Sequence, residues 1–162
     1  MKITAQEEYG LRCLLRVAEQ AEGEAIAAPE IAESEGLSLS YTQKMLRVLS
    51  KGGLVDSRRG SQGGYFMAQP PEAITVGDAI RVLGGIFEVE DICDRHTGEF
   101  AECANRCNCG IRPVWAHISQ FVVETLDGIS LAVLMSDKDE VARHLAENIP
   151  RPSESTAAVA PR

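Results

Sequence analysis

Four cysteines crowd one short stretch of this chain: Cys93, Cys103, Cys107 and Cys109, spaced C-x9-C-x3-C-x-C within 17 residues. Thiolates are soft ligands suited to iron–sulfur clusters, zinc or copper(I), and the spacing by itself leaves the metal open. No basic segment followed by an apolar run opens the sequence, so no signal peptide is expected and the chain is assigned to the cytoplasm. Thiols stay reduced there, and clustered cysteines point to metal or redox chemistry before disulfides. Cys13 is different: it lies between Arg12 and Leu14 in a helical pattern and reads as a small buried thiol. His96 reads as a solvated loop histidine, and His117 and His144 have no cysteine neighbour in sequence.

A second group of residues carries the opposite charge. Between Ser40 and Gly64 stand Lys44, Arg47, Lys51, Arg58 and Arg59 against Asp56 alone. From Glu88 to Glu102 the balance reverses, with six acids against Arg95. The net charge of −8 argues against a nucleic-acid partner when taken as a sum, but its segregation supports two separate jobs. Ser40, Gln43, Lys44, Arg47 and Lys51 recur at i, i+3, i+4, i+7 and i+11, which is one face of a helix. Thr42, Met45, Leu46 and Leu49 fall on the other side, where a core belongs. In a major groove Gln43 can read an adenine edge, while Lys44 and Arg47 reach guanine or phosphate. Gln43 also stands three residues after Ser40, the spacing of a capping box, so a purely structural role competes. Arg58 and Arg59 precede a tip containing Gly60, Gly63 and Gly64, where the backbone can approach a phosphate chain closely. Guanidinium groups beside such a tip suit a narrow minor groove.

The elements that position these residues follow from caps and periodicity. Thr4 with Glu7 opens a first helix, and Leu11, Leu14, Leu15, Ala18 and Ala21 give it an apolar stripe. Pro29 and Gly36 bracket a short second helix, and a third runs from Ser38 or Ser40 to about Lys51. Two strands, over residues 54–59 and 65–68, flank the glycine turn, and Pro70 and Pro71 close the hairpin. Thr75 with Asp78 caps a helix reaching Leu83. Residues 86–110 lack periodicity. Helices are expected over 113–126, 130–135 and 138–147, followed by a disordered tail at 150–162. No apolar run is long enough to span a membrane. The expected fold is mainly α with a small β-wing. A winged helix-turn-helix domain (1–84) precedes a cysteine-rich loop (85–112) and a long helix with short C-terminal helices (113–149).

With Leu37-Ser38-Leu39-Ser40-Tyr41, Gly53-Leu54-Val55 and Arg59-Gly60-Ser61-Gln62-Gly63-Gly64-Tyr65, the chain resembles the IscR/NsrR family, the Rrf-type group of winged-helix regulators. The likeness covers roughly residues 1–135, including the opening Met1-Lys2-Ile3-Thr4 and Tyr9-Gly10-Leu11-Arg12. It implies a homodimer joined through residues 115–126, base contacts from the third helix and a minor-groove arginine at Arg59. Where the regulator that names the family has an acidic residue, this chain has Gln43, so target preference does not carry over.

For the cysteines the resemblance implies three cluster ligands. Reading back from Trp115, they are Cys109, Cys103 and Cys93. This loop has a longer first gap and an extra Cys107, and Arg112 replaces one branch's histidine ligand; a guanidinium is not expected to bind iron. The fourth ligand is therefore open between Cys107 and Glu8, the latter aligned with a carboxylate that the nitric-oxide-sensing branch supplies from the partner subunit. Glu8 also reads as a solvated acid favoured by a helix N-terminus. Three cysteines plus one oxygen ligand lean towards 4Fe–4S over 2Fe–2S.

The resulting expectation is a homodimeric, non-enzymatic DNA-binding transcription regulator of repressor type. An iron–sulfur cluster controls its affinity and senses redox state, iron supply or nitric oxide. One alternative keeps the fold and makes the cysteines a zinc site or thiol–disulfide switch. Another is a protein-binding winged helix in an electron-transfer or enzyme complex. Against an enzyme, the sequence has no Ser/His/Asp set, no phosphate-binding glycine loop opening a helix and no paired carboxylates in an apolar setting.

Overall fold

The computed structural model of the chain describes residues 3–60, 63–85, 94–105 and 108–149. Cys93, Cys107, much of the expected cysteine loop and the expected C-terminal tail lie outside these residues.

Helix α1 (Ala5–Ala18) opens with the capping box formed by Thr4 and Glu7, and its apolar stripe buries Cys13, Leu14, Val17 and Ala18. Helix α2 (Ala28–Glu35) has Pro29 in its first turn. It ends at Gly36, whose φ of 65° is a left-handed conformation that glycine adopts without steric cost. The Leu37 amide then donates back to the Ala32 carbonyl at 2.9 Å. This compact turn feeds directly into α3 (Leu39–Lys51), with Ser38 as the N-cap residue. The Tyr41 amide donates to the Ser38 hydroxyl, and Thr42, although fully buried, donates to the Ser38 carbonyl. Met45, Leu46 and Leu49 complete the buried face of α3 and meet α1 and α2 in one apolar core.

Strands β1 (Val55–Arg58) and β2 (Gly64–Met67) pair antiparallel, with Val55 opposite Met67 and Arg58 opposite Gly64. They form the expected wing, β1 two residues shorter than the expected 54–59 and β2 of the expected length but starting one residue earlier. Its second strand is tied to the segment before α2 by reciprocal backbone bonds between Ile26 and Tyr65, at 3.0 and 2.9 Å. Gly64 makes that approach possible, since a Cβ there would lie 2.5 Å from the Ile26 carbonyl oxygen.

Helix α4 (Val76–Leu83) carries a second capping box, from Thr75 and Asp78, and packs on α1, α3 and the long helix α5 (Arg112–Asp127). Past α5 the chain returns to the core. The Val76 amide donates to Ile129 and the Leu131 amide to Ile74, each at 2.8 Å, and Leu131 is fully buried in the same cluster as α3. Two further helices, α6 (Leu131–Leu134) and α7 (Lys138–Asn148), complete the fold. No helix among the described residues is long and apolar enough to cross a membrane.

Candidate nucleic-acid interface

Helix α3 divides as its sequence pattern predicts. Ser40, Gln43, Lys44, Arg47 and Lys51 are all exposed, while Thr42, Met45, Leu46 and Leu49 between them are buried in the core. The buried half fixes the helix axis, so the polar half is presented on a rigid support. Ser38, not Ser40, caps the helix, and the capping-box alternative for Gln43 is therefore not realised. Ser40 sits in the first turn with its hydroxyl 3.3 Å from that of Ser38. The Gln43 carbonyl accepts from Arg47 Nε at 3.1 Å, and its exposed side chain extends from the same face.

In the wing, Arg58 ends β1 with its guanidinium carbon 5.9 Å from the centre of the Phe66 ring. Arg59 follows, exposed, at the entry to the turn. There Gly60 adopts φ 118° and its carbonyl accepts from the Gly63 amide at 2.9 Å. The six residues expected to meet nucleic acid are thus exposed on two adjoining elements, α3 and the wing, that share one core.

Behind α3 lies a set of contacts that the sequence pattern did not single out. The Glu35 carboxylate, only 6% exposed, accepts from Arg12 Nε at 2.6 Å and also from Arg16 Nε. Burial pushes the Glu35 carboxyl up, but the hydrogen bonds from Arg16 and Arg12 outweigh it and hold it below the usual carboxylate range. The pair of arginines ties α1 to the last residue of α2. Arg12 also lies over the Tyr9 ring, at 5.5 Å from its centre. Tyr9 meets Tyr41 of α3 edge-on, with ring centres 6.0 Å apart. The i, i+3 spacings Tyr9/Arg12 and Tyr41/Lys44 were the available signal, but partners across helices cannot be read from spacing.

The cysteine segment is organised differently. Cys103 and Cys109 are free and half-buried in turns that are otherwise almost wholly exposed. Among the described residues no three His, Cys, Asp or Glu side chains converge as a metal-binding group. Glu8 is exposed on the first turn of α1. It borders a largely apolar cavity of about 170 Å³ between α1, α4 and α5, whose wall also includes Gly85, the last described residue before the cysteine segment. Glu8 is therefore near the point where that segment leaves the core. Cys13 is fully buried, and burial, followed by the charge of Glu35, pushes its thiol up to about 11. It is an inert core residue, as expected. The donor set fits an iron–sulfur group by its chemistry: Cys103 and Cys109 are thiols, and Glu8 is a carboxylate not used by the capping box, which Glu7 supplies.

The family profile described as Rrf2, iron-dependent transcriptional regulator, matches residues 3–137. Protein rrf2 of Nitratidesulfovibrio vulgaris is 34% identical over 137 residues, covering 85% of this chain and 89% of that protein. The HTH-type transcriptional regulator IscR of Aliivibrio salmonicida is 34% identical over 139 residues, with coverages of 86% and 80%. The solved structure of CymR, the global cysteine regulator of Bacillus subtilis, superposes with a TM-score of 0.65 at 34% identity, covering 85% of this chain and 99% of that one. The chain is a winged-helix DNA-binding transcription regulator. It belongs to the Rrf2 family, as its wing and helix motifs imply.

Proposed function

We propose that the chain acts as a homodimeric regulator of repressor type whose grip on double-stranded DNA is set by an iron–sulfur cluster held in the cysteine segment. The observation that carries the DNA half is the exposure of Ser40, Gln43, Lys44 and Arg47 on a helix whose opposite face is locked in the core, beside Arg58 and Arg59. Ser40, Gln43, Lys44 and Arg47 enter the major groove, and Arg58 and Arg59 follow the adjacent minor groove. The unit comprises residues 1–84 as reader, 85–112 as sensor segment and 113–149 as dimerisation helix with its short C-terminal helices.

The dimer is supported by α5. Val114, Trp115 and Ile118 stand exposed at helical spacing, and Ile111 just ahead of them is 61% exposed. An apolar row of this length is covered when two copies pair, which sets two α3 helices to reach half-sites about 34 Å apart.

Cys93, Cys103 and Cys109 are the proposed thiolate ligands, with the partner's copy of Glu8 as the fourth and Cys107 as its alternative. A bound 4Fe–4S group would supply a site that reacts with oxidants or nitric oxide and whose occupancy follows iron supply. The family's description as iron-dependent and the thiol-rich donor set support this reading. A second reading, a zinc site or thiol switch, is favoured by the equal likeness to a regulator named for cysteine. Anaerobic purification separates the two. The cluster reading expects brown protein with iron and sulfide in equal amounts, and Mössbauer spectra altered in Glu8→Ala or Cys107→Ala. Colourless protein carrying zinc would overturn it. Salt-sensitive binding of the protein to its own promoter fragment tests the DNA half.

A further inference from the structure

The contacts behind α3 converge on one of the proposed DNA-binding side chains. Lys44 Nζ lies 5.9 Å from the centre of the Tyr41 ring, one helical turn away on the same face. Tyr41 is half-buried against the apolar core, and the Tyr9 ring stands beside it with the planes at 88°. Tyr9 in turn lies under Arg12, which is fixed by the Glu35 carboxylate and by the Glu35 backbone carbonyl, the latter at 3.1 Å. The sequence of contacts Glu35, Arg12, Tyr9, Tyr41, Lys44 therefore runs from the end of α2, through α1, to the outer face of α3.

We infer that Tyr9 is a positioning residue for DNA binding, acting through Tyr41 to hold the Lys44 ammonium in place on the recognition face. The inference rests on the DNA-reading role of α3 proposed above. A lysine has four rotatable bonds, and on an exposed helix its ammonium ordinarily samples many positions. A ring face below it restricts those positions through the attraction of a cation for the π-system. That ring can do so only if it is itself immobile, which is what the Tyr9 edge contact provides. Less side-chain freedom is then lost when the ammonium meets a phosphate or a guanine edge, so affinity rises without any new contact.

A double-mutant cycle tests this, using a duplex recovered by in vitro selection on the wild-type protein and fluorescence anisotropy as readout. Tyr9→Leu is expected to weaken binding about three- to fivefold. Tyr9→Phe, which keeps the ring edge, is expected to bind as wild type. Lys44→Met is expected to lower the slope of log K against log salt by about 0.9, the loss of one phosphate contact. In the Lys44→Met background, Tyr9→Leu should then cost nothing further. A purely structural role for Tyr9 predicts the same loss in both backgrounds and overturns the inference. An undiminished affinity of Tyr9→Leu overturns it too, while the DNA-reading role of α3 stands. If Lys44→Met binds as wild type, the inference fails while the other residues of α3 keep their role; if selection recovers no duplex, the DNA-reading role fails and the inference goes with it. Should Tyr9→Leu not fold, Tyr9→Met takes its place in the cycle with the same expected outcomes.

Discussion

Residues 3–85 and residues 94–128 are built on opposite terms. The first segment contains most of the buried side chains, from Glu7 to Leu83, and its exposed basic residues stand on that support. In the second, not one described residue is buried, although Ile111, Val114, Trp115 and Ile118 are large and apolar. A surface reader must be rigid before it meets its ligand, because every rotamer frozen on binding weakens the complex. A sensing segment has the opposite requirement: its order has to depend on something outside itself, or nothing can be sensed. The first region is organised by its own core; in the proposed reading the second takes its order from what it would bind, a partner helix along α5 and a metal group at the cysteines.

The sharpest way to break that contrast is Ile118→Glu. In a single chain this side chain is 39% exposed, so the fold should survive. Paired helices would instead bury a charge. Sedimentation velocity should report monomers, and DNA affinity should fall by about a hundred- to ten-thousandfold with the loss of two-point binding. An intact dimer would return α5 to an ordinary solvated helix.

Thiol chemistry separates the regions next. In iron-free protein, Cys103 and Cys109 should react with a maleimide at least about a thousandfold faster than Cys13, whose thiol is buried and shifted to about 11. Equal rates, followed by mass spectrometry of peptides, would mean that the core around α1 opens as readily as the cysteine turns.

Within the reader, Arg59→Ala should cost about 1–3 kcal/mol of DNA binding and lower the salt slope by about one. The effect should be larger at sites with a narrow minor groove, and its absence would move the DNA contact away from the wing.

The elements of the reader were legible in the sequence because local signals fixed them. Thr4 with Glu7 and Thr75 with Asp78 form the capping boxes their spacing implies, and Gly36 closes the turn before α3. The two faces of α3 followed from period alone. Whether Gln43 capped the helix did not, since Ser38 and Ser40 both had cap chemistry and only the backbone shows which one turns. The return of Ile129 and Leu131 to the core beside Ile74 was also hidden, because a pairing across more than fifty residues leaves no periodic trace. The same holds for Glu35, whose role depends on two arginines from another helix.

The smallest expected effect concerns that carboxylate. Glu35→Gln should reduce stability at neutral pH by about 1 kcal/mol, discounted because both arginines are partly exposed. The folded Glu35 carboxyl lies below its ordinary value, so its contribution is complete above about pH 4.3, the unfolded value, and is lost as the pH falls further. Denaturation curves of wild type and variant should converge as the pH falls progressively below the unfolded value. A difference that persists unchanged there would assign the stabilisation to packing.

The central claim, that metal occupancy of the cysteine segment sets the grip of the reader, meets its most direct test in one titration. Anaerobically purified protein is measured by fluorescence anisotropy against one promoter duplex, before and after its iron is removed by a chelator, with Cys103→Ala alongside. Removal is expected to change Kd at least tenfold, and Cys103→Ala should already behave as the stripped form. Identical affinities for loaded and stripped protein would contradict the claim.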